Sequence, residues 1–476
     1  MYSNLQGGKN GKCPFYHSIE GSHRREKGNI VQMECDVKFY FFTPKFNDDG
    51  KPTTKSMAVL SFGEHTHPPP PPRKIPRLVK DELIKIVQHL GGATELTARR
   101  IIASPTLSIM LNGKTALSEE HIALSNQDAV NHLIRKERLK EHPWGTDFQG
   151  AQYLMNQHGL SDPYIRQTLH FPDGHFVVLC QFTAQSELFY ESYELQADKT
   201  FSRTKCREFE INSYSHATKR TITLSRVFTD YEDEEGYYQA FSLVFNTAEA
   251  DMGRKLPWGH LFSEEDAHVN GTSHIKAVLV DEHGGQCKGL GRYFHQEYQM
   301  EDADWHVLRI VRTCRVHYER SLHRLENKGI DKGIRPYKTL TNLLLALCNK
   351  LRDIPTVMLR DHYNNILSSV RQAAEAANLK LLLNWLDHKD HNPWILQCLS
   401  FATTGISRRD WFSTSATTNI AESAHAQSQR DGTRLSLVAA IRKGMLLDSR
   451  FFESTKAQTW SGVAVKYGNN SMTGRA

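Results

Sequence analysis

Three acidic side chains in or beside apolar segments are the residues of this sequence most suited to chemistry: Asp198, Asp281 and Glu422. Asp198 lies in a strand-like stretch, Asp281 ends an apolar run, and Glu422 lies at the start of a helical pattern. Carboxylate oxygens bind hard divalent cations, and two such ions stabilise the attacking and leaving oxygens of a phosphoryl transfer. A single aspartate at such a place is more often a turn residue or helix cap, and Glu422 alone would only favour a helix N-terminus. The three acids together predict a metal-dependent phosphoryl-transfer site.

The elements that must position these acids follow the order of an RNase H-like sheet. Apolar and alternating patterns predict strands at residues 175–182, 195–201, 208–214, 221–229 and 275–281. A helix over residues 235–245 separates the last two of these strands. From about residue 320 to residue 400, Leu-rich amphipathic stretches predict a helical insertion between Asp281 and Glu422. The predicted fold class is therefore α/β, an RNase H-like mixed sheet core with a helical insertion.

Short motifs in this sequence resemble, in their order, those of the Mutator-like (MULE) transposases. The motifs are Asp198-Lys199-Thr200-Phe201, Tyr237-Tyr238-Gln239-Ala240-Phe241, Asp281-Glu282-His283-Gly284-Gly285-Gln286, Cys314-x-x-His317 and Thr418-Asn419-Ile420-Ala421-Glu422. The resemblance covers about residues 78–450. It implies a DDE-type transposase that cuts DNA and transfers strands at transposon ends, with Asp198, Asp281 and Glu422 holding Mg²⁺ or Mn²⁺. It also implies transposon terminal repeats and target DNA as partners and a nuclear location, and it is compatible with a homo-oligomer.

Two other classes of function fit parts of the same pattern. A transposon-derived, catalytically inactive DNA-binding regulator would keep the fold without cutting DNA, but such a protein does not need all three acids. A zinc-bridged scaffold for protein interactions would leave the acids unexplained. We therefore expect a transposase, with the inactive regulator as the alternative.

Cys314 and His317 are spaced so that they share one face of a helix, which is compatible with metal binding. A structural zinc site needs about four ligands, however, and no second Cys/His pair stands nearby in the sequence. His306 and His323 lie within reach along the chain, but their spacing is not diagnostic. We expect a structural or site-shaping role for Cys314 and His317, and zinc binding by the pair stays the alternative.

The amino-terminal segment carries Cys13, Cys35, His65 and His67, which predict a small β-rich zinc-binding domain ahead of the core. A domain of about 60 residues has a marginal core, and two thiolates with two imidazoles satisfy tetrahedral Zn²⁺. The Gly-Glu-His-Thr-His-Pro-Pro segment resembles the zinc-bound DNA-binding domains of the WRKY and glial-cells-missing type. The cysteines are farther apart here than in those families, so His17 is a rival to Cys35 as a ligand.

Composition and a proline run complete the expected organisation. The 476 residues are 39% apolar and 24% charged with a net charge of +6, which is compatible with a polyanionic partner. No apolar run reaches the roughly 20 residues that cross a bilayer, so we expect no membrane partner. Eight dispersed cysteines indicate reduced or metal-bound thiols in an intracellular chain. The expected parts are a DNA-binding domain at residues 1–67, a proline spacer and helical linker at 68–150, the transposase core at 151–450 and a tail at 451–476.

Overall fold

The computed structural model describes most of the chain. The described residues are 12–18, 25–29, 36–50, 53, 56–64, 66, 75–90, 92, 94, 96–104, 106–111, 113–114, 116–157, 162–200, 203–215, 220–262, 274–329, 338–430 and 432–461. Two compact units divide the chain, one formed by residues 1–83 with 102–130 and the other by residues 84–101 with 131–476. The three acids all lie in the second unit.

The amino-terminal part contains two antiparallel strand pairs. The strands are β1 (Lys12–Ser18), paired with β2 (Arg25–Asn29), and β3 (Lys38–Phe42), paired with β4 (Ala58–Phe62). Aromatic and β-branched residues, which favour extended backbone, dominate β3 and β4, and Tyr40 lies opposite Leu60 in their register. Gly63 ends β4 with φ of 92°, a left-handed conformation that glycine adopts without steric cost.

Helices connect this part of the chain to the sheet that follows. They are α1 (Arg77–His89), α2 (Ala98–Ile102), α3 (Thr106–Met110), α4 (Leu117–Glu120), α5 (Gln127–Glu141) and α6 (Phe148–Gln157). Two of these helices, α1 and α5, lie where the sequence predicted a helical linker. Apolar residues at helical spacing drive both, since Leu83, Ile86 and Val87 of α1 and Val130 and Ile134 of α5 are buried.

A mixed sheet, with seven strands among the described residues, forms the centre of the second unit. Its strands are β5 (Ile165–His170), β6 (Phe176–Cys180), β7 (Glu194–Thr200), β8 (Arg207–Ser215), β9 (Arg220–Thr229), β10 (Ala277–Val280) and β11 (Val311–Thr313). Their order across the sheet is β11-β10-β7-β8-β9-β6-β5. β10 is parallel to both its neighbours, while the other pairings are antiparallel. The mixed α/β sheet predicted from the sequence is confirmed, although β5, which contains only two apolar residues, and the short β11 were not predicted.

The remaining helices cover the sheet or form a separate block. They are α7 (Thr183–Glu191), α8 (Glu234–Met252), α9 (Gly284–Tyr298), α10 (Ala303–Ile310), α11 (Arg315–Gly329), α12 (Lys338–Arg352), α13 (Arg360–Ala376), α14 (Lys380–His391), α15 (Trp394–Gln397), α16 (Arg408–Ser413), α17 (Asn419–Arg430) and α18 (Leu437–Ser461). No helix in these described stretches has both the length and the apolar composition that crossing a bilayer demands.

Both faces of the sheet are covered. Val177 and Leu179 of β6 join the core that α7, α8 and α9 form on one face, whereas Val178 and Cys180 pack with α6 and α18 on the other. This alternation follows from the two-residue period of a strand. Helices α8 and α9 approach closely at Gly289, where a Cβ atom would lie 2.6 Å from the backbone nitrogen of Tyr238.

The helices between the second and third acids have a hydrophobic core of their own. Buried leucines, valines and tyrosines from α11 to α14 contact one another there. Within this core the hydroxyl of Tyr318 donates to the carbonyl of Leu351 at 2.7 Å. Helices α11 to α14 thus occupy the part of the chain where the sequence predicted a helical insertion.

Candidate functional site

Two neighbouring parallel strands bring Asp198 and Asp281 together. In the pairing of β10 with β7, Val280 lies opposite Ala197, and the next residue on each chain segment is an aspartate. The two aspartates therefore lie side by side where this pairing ends, and the N–H of Lys199 donates to Asp198 Oδ1 at 2.7 Å. Burial, followed by the charge of Asp281, raises the pKa of Asp198 to about 7. The pair therefore places two carboxyl groups side by side where the pairing of β10 with β7 ends.

His425 of α17 lies between two carboxylates. Its Nδ1 is 3.4 Å from Asp198 Oδ2, and its Nε2 is 3.4 Å from Glu210 Oε2 in β8. The imidazole thus connects the first acid to the interior of the sheet. Sequence reasoning missed His425, although its position three residues after Glu422 places both on one face of the helix.

A buried ionic network lies behind His425 and joins α17 and α18 to the sheet. The guanidinium of Arg226 in β9 forms ion pairs with Glu208 at 3.0 Å, with Glu210 and, from its other terminal nitrogen, with Asp448 of α18 at 3.0 Å. Ser428 of α17 accepts from Arg226 at 3.0 Å and donates to Glu210 at 3.1 Å. Burial favours the neutral form of Glu210, but Arg226, together with smaller contributions from neighbouring basic side chains and Ser428, outweighs burial and lowers the pKa of Glu210. The charged residues inside the strand patterns of β8 and β9 were the sequence signal for this network.

Glu422 lies on the same helix as His425 and pairs with a basic residue of α11. Its Oε1 accepts from Arg320 Nη1 at 2.8 Å, and the same Arg320 nitrogen lies 3.4 Å from His317 Nε2. The start of α17 is held against β7, because the N–H of Ala421 donates to Gln196 Oε1 at 3.2 Å. Glu422 is thus connected to the aspartates through Arg320 and His317, whereas Asp198 and Asp281 are in contact with each other.

Asp281, Cys314 and His317 form a compact group of potential metal ligands. One ligand atom from each lies within 4.8 Å of the others, and Asp281 Oδ1 is 2.5 Å from His317 Nδ1. The buried Cys314 sulfur accepts from the N–H of Thr418 at 3.4 Å and from its hydroxyl at 3.2 Å. Burial opposes the charged forms, but the contacts with Asp281 and Cys314 raise the pKa of His317 to about 10. Hydrogen bonds from His317 and Thr418 likewise lower the pKa of Cys314 against the effect of burial.

The other two histidines considered for Cys314 and His317 lie in different contacts. His306 is buried, with its Nδ1 3.0 Å from His260 Nε2, and burial lowers its pKa to about 4. His323 lies 3.4 Å from Glu326 on its own helix. The residue that joins Cys314 and His317 is instead Asp281, which comes from a different element.

The predicted zinc ligands of the amino-terminal domain cannot be compared with the structure. Cys35, His65 and His67 lie outside the described residues. Cys13 and its neighbour His17 lie in β1, where only the backbone is described. The zinc site of this domain therefore stays a prediction.

Comparisons with known proteins do not place the chain in a family. No protein-family model matches it, and no curated protein matches it either. The assignment of function therefore depends on the geometry of Asp198, Asp281 and Glu422.

Proposed function

We propose that this chain is a DNA transposase of the Mutator-like type, with an RNase H-like core that cleaves DNA and transfers strands at transposon ends. The observation that carries the proposal is that the parallel pairing of β10 with β7 sets Asp198 and Asp281 side by side, just beyond its last paired residues. Asp281 directly follows β10, and the carboxyl ends of parallel strands are where α/β folds place their reactive groups. Helix α17, which carries Glu422, packs against β7, where the N–H of Ala421 donates to Gln196.

The residues at this site fit a hard divalent cation. Asp198 and Asp281 offer carboxylate oxygens, and Asp281 Oδ1 is buried against His317 Nδ1 at 2.5 Å. Mg²⁺ and Mn²⁺ prefer such oxygen ligands. Asp198, Asp281 and Glu422 would hold the ion, which stabilises charge on the attacking and leaving oxygens when bound. The N–H of Lys199 and the imidazole of His425 orient Asp198 for this role.

Arg320 is the residue beside the acids that suits a DNA phosphate. Its side chain is 54% exposed while it pairs with Glu422. Arginine binds phosphate oxygens through two parallel hydrogen bonds, which positions a nucleic acid without reading its sequence. A DNA phosphate that pairs with Arg320 in place of Glu422 would leave the carboxylate of Glu422 able to bind a cation.

The ion pairs at the site also favour one second function, a catalytically inactive DNA-binding regulator. His317 pairs with Asp281 and Arg320 pairs with Glu422, so basic side chains neutralise two of the three acids. A protein that binds DNA without cutting it would be stable in this arrangement. The regulator is therefore the alternative that the decisive experiment must exclude.

The proposal includes the rest of the predicted organisation. Residues 1–67 would bind DNA with a Zn²⁺ held by Cys13, Cys35, His65 and His67, and the chain would act in the nucleus on transposon terminal repeats and target DNA. Several copies would assemble if both transposon ends are held together.

The test is cleavage of a plasmid that carries the genomic DNA flanking the coding sequence, in Mg²⁺ or Mn²⁺. We expect Asp198→Asn, Asp281→Asn and Glu422→Gln each to reduce cleavage by roughly a hundredfold or more. Loss of one ligand removes several kcal/mol of transition-state stabilisation. Asp353→Asn is the matched control, because Asp353 is exposed and its side chain makes no capping hydrogen bond.

DNA binding, measured by electrophoretic mobility shift, separates the two functions. A transposase variant should bind DNA as well as the wild type while failing to cut it. Wild-type protein that binds the flanking DNA but does not cut it in either metal ion would refute the transposase and establish the regulator.

A further inference from the structure

Three elements place a thiolate, an imidazole and a carboxylate at one point. Asp281 follows β10 and Cys314 follows β11, and the parallel register of these strands sets Val280 opposite Thr313. Asp281 and Cys314 therefore directly follow the paired ends of two neighbouring strands. His317 lies in the first turn of α11, which starts directly after Cys314. The three ligand atoms lie within 4.8 Å of one another.

The donor set selects a softer metal ion than Mg²⁺. Thiolate and imidazole bind Zn²⁺, Co²⁺ and related ions, whereas Mg²⁺ prefers oxygen ligands throughout. Tetrahedral Zn²⁺ with bonds of about 2.0–2.3 Å separates its nitrogen and oxygen ligands by roughly 3.4 Å. The 2.5 Å between Asp281 Oδ1 and His317 Nδ1 would have to widen by only about 1 Å. Side-chain rotation suffices for such a change.

The hydrogen bonding around these atoms is also that of a metal site. Asp281 Oδ1 and His317 Nδ1 are both buried and face each other at 2.5 Å. Thr418 donates to the sulfur of Cys314 through both its N–H and its hydroxyl. Donors to a thiolate of this kind hold metal-bound cysteines in orientation and stabilise their charge.

We propose that Asp281, Cys314 and His317 form a second metal site, selective for Zn²⁺-like ions, that shares Asp281 with the Mg²⁺ or Mn²⁺ site. Occupancy by Zn²⁺ turns the Asp281 carboxylate toward Cys314 and His317 and away from Asp198. Zn²⁺ would therefore displace the hard cation and act as an inhibitor. The site itself stands on the three ligands, while the competition rests on the proposed function.

Cobalt is the probe for the site, because Co²⁺ replaces Zn²⁺ in such sites. A bond between Co²⁺ and a thiolate gives a charge-transfer band in the near ultraviolet. Full-length protein would be titrated with Co²⁺ as wild type, Cys314→Ser and His317→Gln. Cys206→Ser is the matched control, since Cys206 is a free, partly buried cysteine whose sulfur contacts the hydroxyl of Thr204. We expect the wild type and Cys206→Ser to bind one more equivalent of thiolate-bound Co²⁺ than the two site variants, while circular dichroism shows all four folded. A band of the same size in Cys314→Ser and the control would overturn the site.

Manganese tests whether Asp281 is shared. Electron paramagnetic resonance distinguishes free Mn²⁺ from bound Mn²⁺. After the Zn²⁺ that the amino-terminal domain binds has been supplied, we expect one further equivalent of Zn²⁺ to release bound Mn²⁺ from the wild type. In Cys314→Ser the same Zn²⁺ should leave Mn²⁺ bound. Mn²⁺ that stays bound in Zn²⁺-loaded wild type would overturn the shared ligand. Wild-type protein that binds no Mn²⁺ at all would refute the proposed transposase site, while the Co²⁺ titration would still decide the second site.

Discussion

The buried guanidinium of Arg226 connects α17 and α18 to the sheet, so Arg226→Met tests how the candidate site is held. Methionine keeps an unbranched side chain of similar length but removes the charge and the donors. The variant leaves Glu210 and Asp448 without their cation, since both pair with Arg226 in the sheet interior. Because α17 carries Glu422 and His425, the change reaches the site without touching Asp198 or Asp281.

The expected loss of stability follows from the contacts that remain. Removing one partner of a buried ion pair costs about 3–5 kcal/mol, since the other charge stays buried and unpaired. Arg203 still pairs with Glu208, and the hydroxyl of Tyr164 still donates to Asp448 at 2.8 Å. We therefore expect about 4 kcal/mol, the middle of that range. At about 2–4 °C per kcal/mol for domains of this class, the thermal midpoint should fall by roughly 8–16 °C.

The effect of pH has a definite sign. Without Arg226, burial raises the pKa of Glu210, so the folded state binds more protons than the unfolded chain. Stability of the variant then falls as pH rises, and the difference from wild type should be larger at pH 8 than at pH 5.

Thermal melts followed by circular dichroism measure these differences. Arg360→Met is the matched control, because Arg360 is exposed at the start of α13. The double variant Glu210→Gln/Arg226→Met should recover part of the loss, since one unpaired charge is removed as well. A midpoint change in Arg226→Met no larger than in Arg360→Met would refute the view that this network holds α17 in place.

Three further outcomes are expected. Asp198→Asn should stabilise the metal-free protein at pH 8 by on the order of 1–3 kcal/mol, and by less toward pH 4. The reason is that the pKa of Asp198 is raised to about 7, so the charged carboxylate is disfavoured in the folded state. Thermal melts at the two pH values check this. Gly289→Ala should lower the thermal midpoint, because the new Cβ would lie 2.6 Å from the backbone of Tyr238. Gly284→Ala should leave the midpoint unchanged, because the nearest contact of its Cβ would be a side-chain atom at 3.4 Å. His67→Ala should lower the zinc content and weaken the salt dependence of DNA binding. Metal analysis and DNA binding across a salt series measure these two effects. An unchanged salt slope would contradict a DNA-binding zinc domain.

Local patterns in the sequence determined the strands and helices that carry the acids. The apolar run of residues 277–280 is buried along its whole length in β10, as a strand covered on both faces must be. Helical spacing of leucines likewise predicted α12 and α13. Such patterns are readable because burial of a strand or helix face depends on residues close together in the chain. The acids Asp198 and Asp281 were identified from their places in or just after these strands.

Only the tertiary structure decided which of these residues meet. The parallel register of β7 and β10 sets Asp281 beside Asp198, and the pairing of β10 with β11 adds Cys314 to the same place. The sequence left Cys314 and His317 without a third ligand, since Asp281 is separated from them by α9 and α10. Likewise, Glu422 pairs with Arg320 from the helical block. Contacts of this kind depend on strand pairing and helix packing between distant segments, which leave no periodic signal in the chain.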